Sequence, residues 1–257
     1  MKDSKGLVAI GISGQNNGNP YAFVMASPAT LSTQSVYAIG NRVMVGIGNP
    51  DYVAKLGVAF GELRHYDDSS ASFCSLDDLT NRWLPAFVDI NPPSGDTDLL
   101  LMGPDKKGNT ALEKVRLKPN RTCQQIQEQG SLNIRYAGVD DDQYIDFLKS
   151  LSNYGAAANF DGAFRFAAVF MKHFGVTEDK VQFGLGYNGD SGIETVISFP
   201  SDTEFASQDY HLGHLRKSLP QAFGPIALSA LISAANNNRK DFEAILIELA
   251  DSMKTPV

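Results

Sequence analysis

Residues 36–63, VYAIGNRVMVGIGNPDYVAKLGVAFGEL, decide how this chain is read. Val36 to Ile39 and Arg42 to Ile47 are two short apolar runs, rich in β-branched residues. Gly40-Asn41 lies between them and suits a tight two-residue hairpin turn. Asn49-Pro50-Asp51 then starts a helix: Asn49 or Asp51 can accept from free backbone N–H groups, and proline suits a first helical position. Tyr52, Leu56, Ala59, Phe60 and Leu63 recur at helical spacing. Two strands thus run directly into a helix.

The same grammar extends outward. Upstream, Gly6 to Ser13 and Tyr21 to Ala26 are strands flanking a turn at Gly14-Gln15-Asn16-Asn17-Gly18-Asn19-Pro20. Downstream, Ser75 caps a second helix with Asp78 three residues on, and Leu76, Leu79, Trp83, Leu84 and Phe87 give its apolar face. Asp98 to Met102, Ala111 to Leu117 and Leu132 to Tyr136 are three strands. Helices follow over Asp140 to Leu151, whose acidic first turn suits the helix dipole, and over Ala156 to Phe174, closed by Gly175. Val181 to Tyr187 and Ile193 to Phe199 form a closing hairpin. Strand and helix do not alternate singly, so a doubly wound parallel fold is excluded. The expectation is an α+β, four-layer αββα sandwich of two mainly antiparallel sheets over 1–200. Residues 201–257 are read as a helical C-terminal extension of the same domain. In it, Leu219 to Ala235 is apolar and alanine-rich, and Asp241 to Met253 is amphipathic.

Composition narrows the function classes. The chain has 257 residues, 43% of them hydrophobic, and a net charge of −7. An acidic chain whose basic residues form no run longer than a pair, such as Lys106-Lys107, is a poor partner for nucleic acid or anionic membranes. No window reaches the ~18 apolar residues needed to span a bilayer. The leading segment is too short for an export signal, which implies a cytoplasmic protein. The two cysteines, Cys74 and Cys123, read as small apolar residues rather than as a disulfide or metal framework. No cofactor is expected.

Three stretches carry a family resemblance over roughly residues 5–200. GLVAIGI resembles the first strand of proteasome β-type subunits, within the N-terminal-nucleophile (Ntn) hydrolase superfamily. YAIGNRVMVGIGNP, running into its helix, is similar to that family's hairpin, glycine turn and first helix. YAGVDDDQYIDFL, with the helix and hairpin after it, is similar to the second half. The resemblance implies a sandwich that assembles into homo-oligomers through its helix faces. It also implies a threonine nucleophile freed at the N-terminus, its own amine as base, a lysine tuning that amine and an acid orienting the lysine.

The matching positions here are Lys5, or Ser4 one residue earlier, for the nucleophile. Ser27 stands for the acid and Ser35 for the lysine. Val139 or Asp140 stands for an anchoring serine. Losing lysine and acid together removes the physical basis of activation. The leading expectation is therefore a homo-oligomeric, proteasome-like subunit without the family's usual threonine-peptidase activity. Two alternatives stand beside it: an amide or peptide hydrolase using Ser4 after trimming of Met1 to Asp3, and a small-molecule hydrolase on the same fold with a polar pocket between the sheets.

Other patterns read blandly. Gly184 to Gly189 spells GxGxxG but precedes a strand, whereas a dinucleotide site needs a helix there. Asp140-Asp141-Asp142 reads as helix capping before cation binding. His211 and His214, with Glu204 or Asp209, fall in a polar connector and read as surface residues before metal ligands. Ala222 to Ala235 is a candidate partner surface.

Overall fold

A computed structural model describes residues 7–16, 18–27, 34–39, 42–67, 75–126, 133–151, 159–189, 192–198, 229, 233 and 239–251. The strands are β1 (Ala9–Asn16), β2 (Asn19–Ala26), β3 (Val36–Ile39), β4 (Arg42–Ile47), β5 (Thr97–Pro104), β6 (Thr110–Lys118), β7 (Thr122–Ile126), β8 (Asn133–Ala137), β9 (Gln182–Gly189) and β10 (Gly192–Ser198). They form two five-stranded sheets, ordered β10-β9-β2-β1-β8 and β3-β4-β5-β6-β7. Every strand pairing is antiparallel.

Among the described residues the α-helices are α1 (Pro50–Asp67), α2 (Leu76–Asp78), α3 (Leu84–Ile90), α4 (Asp141–Ser150), α5 (Phe160–His173) and α6 (Arg239–Asp251). The expected caps form. Asn49 Oδ1 accepts from the amides of Asp51 and Tyr52. Ser75 with Asp78, and Asp140 with Gln143, make reciprocal capping boxes. Between α2 and α3 the backbone widens into a π turn, Leu79–Trp83, with the Leu84 amide bonding to the Leu79 carbonyl. Pro85 follows at once. A proline inside an α-helix clashes with the carbonyl four residues back, and a widened turn relieves that crowding.

Strand alternation sorts the core into three layers. In β2, Tyr21, Phe23 and Met25 point to one face and Ala22, Val24 and Ala26 to the other. The first set joins Ile10, Ile12, Phe183 and Leu185 under the buried phenylalanines of α5 and Phe242 of α6. The rings interlock at short range: Phe23 and Phe160 centroids are 5.3 Å apart, Phe164 and Phe183 5.5 Å. A second cluster packs α1, α2 and α3 on the far face of the other sheet, through Met44, Val53, Leu56, Phe60, Leu99 and Val115. The third cluster joins the sheets: Ala9, Ala22, Val24, Ala26, Val36, Val43, Val45, Leu100, Met102 and Leu112. Its residues are mostly small, so the sheets approach closely, while aromatic bulk goes outside.

Several sequence expectations change in detail. The first hairpin does not loop over Gly14–Pro20. Asn16 pairs with Asn19, so both strands run past their expected ends, and Gly18 takes φ 84°. Glycine takes a positive φ without a Cβ clash, which suits so tight a reversal. The strand β7 was not anticipated. It follows a three-residue loop, Pro119-Asn120-Arg121, in which Arg121 takes φ 63° and its amide bonds to the Lys118 carbonyl at 3.1 Å. That is the left-handed third position of a three-residue hairpin loop. Gly40-Asn41 lies outside the described residues, as does the run Ala222 to Ala235 apart from Ser229 and Ser233. The register Ile39 to Arg42 bears out the second hairpin. Among the described residues, no helix is long and apolar enough to cross a membrane.

Candidate functional site

The chain enters β1 through Leu7 and Val8 at one end of the inter-sheet layer. Ser27, just past β2, donates its amide to the Val8 carbonyl at 2.8 Å and is buried. Gly138, just past β8, closes on the other side at φ 81°. A Cβ there would sit 1.8 Å from the Leu7 carbonyl oxygen, so no residue with a side chain fits without moving that strand. The opening of β1 is thereby gripped between the ends of β2 and β8.

Ser35 comes to the same end from the other sheet. It immediately precedes β3, is buried, and accepts from the Gly46 amide at 3.1 Å through its carbonyl. The two serines at the acid and lysine positions thus lie at one end of the layer, on opposite sheets. What joins them was not read from the sequence. Gln182, the first residue of β9, pairs with Ala26 next to Ser27 and is fully buried. Its Oε1 crosses the layer and accepts from the backbone amides of Ser35, at 2.7 Å, and Val36, at 3.1 Å. Gln34 completes the group: its Nε2 donates to the Val36 carbonyl at 2.7 Å, and its own carbonyl accepts from the Tyr37 hydroxyl at 3.0 Å. Burial pushes the Tyr37 phenol up to about 12.

Ser27, Ser35, Gln34 and Gln182 are all neutral. A serine hydroxyl and a primary amide carry no charge with which to tune a neighbouring amine. What the arrangement does physically is satisfy two buried backbone donors that would otherwise be stranded at the start of β3. Ser4 and Lys5 lie outside the described residues. Val139 packs against the aromatic layer, and the carboxylate of Asp140 accepts from the Gln143 amide at 2.8 Å as a helix cap.

Charged groups gather at the β8 side of the layer. Asp98 receives both Nε and Nη2 of Arg116, at 2.7 and 3.0 Å, in a forked pair. Hydrogen bonding to Asp98 raises the Arg116 guanidinium further above its ordinary value. Lys114, buried, places Nζ 4.8 Å from the centre of the Tyr136 ring. The Tyr136 hydroxyl in turn donates to Asp141 at 2.8 Å. This network ties β5, β6, β8 and α4 together, and its carboxylates are engaged.

The remaining motifs have ordinary roles. Gly184 and Gly186 of the GxGxxG stretch lie within β9, between β2 and β10, and no helix follows. A Cβ at Gly184 would come within 2.9 Å of Val43 across the layer, so this glycine serves sheet contact. Cys123 is half-buried, and burial pushes its thiol up to about 11, far from a thiolate nucleophile. Cys74, Glu204, Asp209, His211 and His214 lie outside the described residues. Among the described residues, no three His, Cys, Asp or Glu side chains are grouped to hold a metal ion. In comparisons with known proteins, no family model matches the chain and no curated protein is significantly similar to it.

Proposed function

We propose that this chain is a proteasome-like subunit of Ntn type that self-associates and does not use threonine-peptidase chemistry. Two antiparallel sheets with helices on their outer faces, and a first strand that opens at one end of the inter-sheet layer, support the αββα reading of the fold. The observation that carries the functional half is Gln182. At the end where an amine-tuning lysine and its acid would stand, a neutral amide bonds to backbone instead. Neither Ser27 nor Ser35 carries the positive charge with which the family's lysine would tune an N-terminal amine. The space beneath β1 and β2 is filled with Ala, Val and Leu, which weighs against a polar small-molecule pocket.

The test is a peptidase assay on the purified full chain, using a panel of fluorogenic peptides with acidic, basic and apolar residues before the cleaved bond. The expected result is turnover no faster than a heat-denatured control. Saturable hydrolysis that disappears on Ser4→Ala would replace this reading with an active Ntn hydrolase.

A further inference from the structure

We propose that β7 is a self-pairing seam: two copies of the chain join antiparallel through this edge strand, across a two-fold axis at Gln124. The proposal rests on the self-association part of the proposed function and assigns it a surface. β7 ends its sheet, paired to β6 on one side only among the described residues. An edge strand presents a row of backbone donors and acceptors that templates another strand unless it is blocked. Proteins block such edges with charged side chains, proline or an inserted side chain, and the edges β3 and β8 carry such devices. In β3 the Val36 amide and carbonyl are already taken by Gln182 and Gln34. β8 carries Arg135.

β7 reads Thr-Cys-Gln-Gln-Ile, with no charge and no proline, and Gln124 and Gln125 are exposed. The occupant follows from this composition. The chain bears a net charge of −7, so two copies repel on the whole, and a strand without charged side chains adds nothing to that repulsion. A two-fold interface must also be complementary to itself. With Gln124 on the axis, each Gln124 faces its own copy and Thr122 faces Ile126. A primary amide carries donor and acceptor together and so matches its own image, which neither a carboxylate nor an ammonium does. Gln125 Nε2 donates to Glu113 at 2.8 Å, which holds that side chain within its own copy.

The test is sedimentation of the full chain beside Gln124→Lys and Gln124→Glu, each alone and mixed one to one, at low salt. Gln124 is exposed, so both variants should keep the wild-type circular dichroism and melt cooperatively. The wild type is expected at a multiple of its 27.8 kDa mass. Each variant alone should associate at least tenfold more weakly, and the mixture should recover association, because opposite charges then meet on the axis. A monomeric wild type overturns both the seam and self-association. An oligomeric wild type whose variants associate equally well overturns the seam alone. Dissociated variants that fail to recover on mixing overturn the two-fold register.

Discussion

The two ends of β9 use the same device. At one end Gln182 reaches across the layer and accepts from two backbone amides of the opposite sheet. At the other, Asn188 Oδ1 accepts from the amide and the hydroxyl of Thr110, at 3.2 and 2.7 Å. Between them the inward positions are Gly184 and Gly186, while Phe183, Leu185 and Tyr187 point outward into the aromatic layer. A glycine centre lets the sheets touch, and an amide at each end fixes their offset. The Asn188 end lies far from any position the family resemblance assigns to catalysis. That the Gln182 end is built alike teaches that it, too, is a brace.

The strongest way to break this comparison is Gln182→Leu. It strands two buried amide donors, each costing roughly 1–3 kcal/mol, so a loss of about 2–6 kcal/mol is expected in urea unfolding. Gly184→Val probes the centre between the braces. The added branches would meet Val43, Val24 and Val36, and overpacking of this kind costs about 1–3 kcal/mol. Asn188→Ala should cost less, about 1 kcal/mol, because the Thr110 end is only partly buried and water can replace the lost acceptor. If Asn188→Ala proves costlier than Gln182→Leu, the two ends are not equivalent braces.

A pH series sharpens the contrast further. Tyr37, beside the Gln182 end, has a folded pKa near 12 against an ordinary 10.0. A raised folded pKa means its contribution is full below pH 10 and is lost as pH climbs from about 10 toward 12. The Asn188–Thr110 bond contains no titrating group. Cys123 adds a loss of its own, starting near its ordinary 9.0. Tyr37→Phe should therefore lessen the alkaline fall in urea midpoint above pH 10, beside a loss of about 1 kcal/mol at pH 7 from the missing bond to the Gln34 carbonyl.

How legible was this in the sequence? The hairpins were, because short apolar runs with Asn-Gly or Gly-Asn between them admit few other folds. So were the caps at Asn49, Ser75 and Asp140, which depend on local spacing. β7 was not: Thr-Cys-Gln-Gln-Ile has no apolar alternation, and what makes it a strand is its pairing to β6. The π turn before Pro85 is a compromise between a helix and a proline, visible only once the helix is in place. Gln182 escaped for a different reason. Its partners lie about 147 residues away, and a search for replaced charges does not look for an amide. The signal was nonetheless present in QFGLGYN, where alternate residues read Gln, Gly, Gly, Asn on one face and Phe, Leu, Tyr on the other.

The most direct test of the claim that the Gln182 end is a brace is intact-mass analysis of the purified chain after exposure to a peptide epoxyketone, which traps N-terminal nucleophiles. The account predicts an untrimmed chain with no adduct. A chain shortened to begin at Ser4 or Lys5 and carrying one equivalent of the electrophile would contradict it.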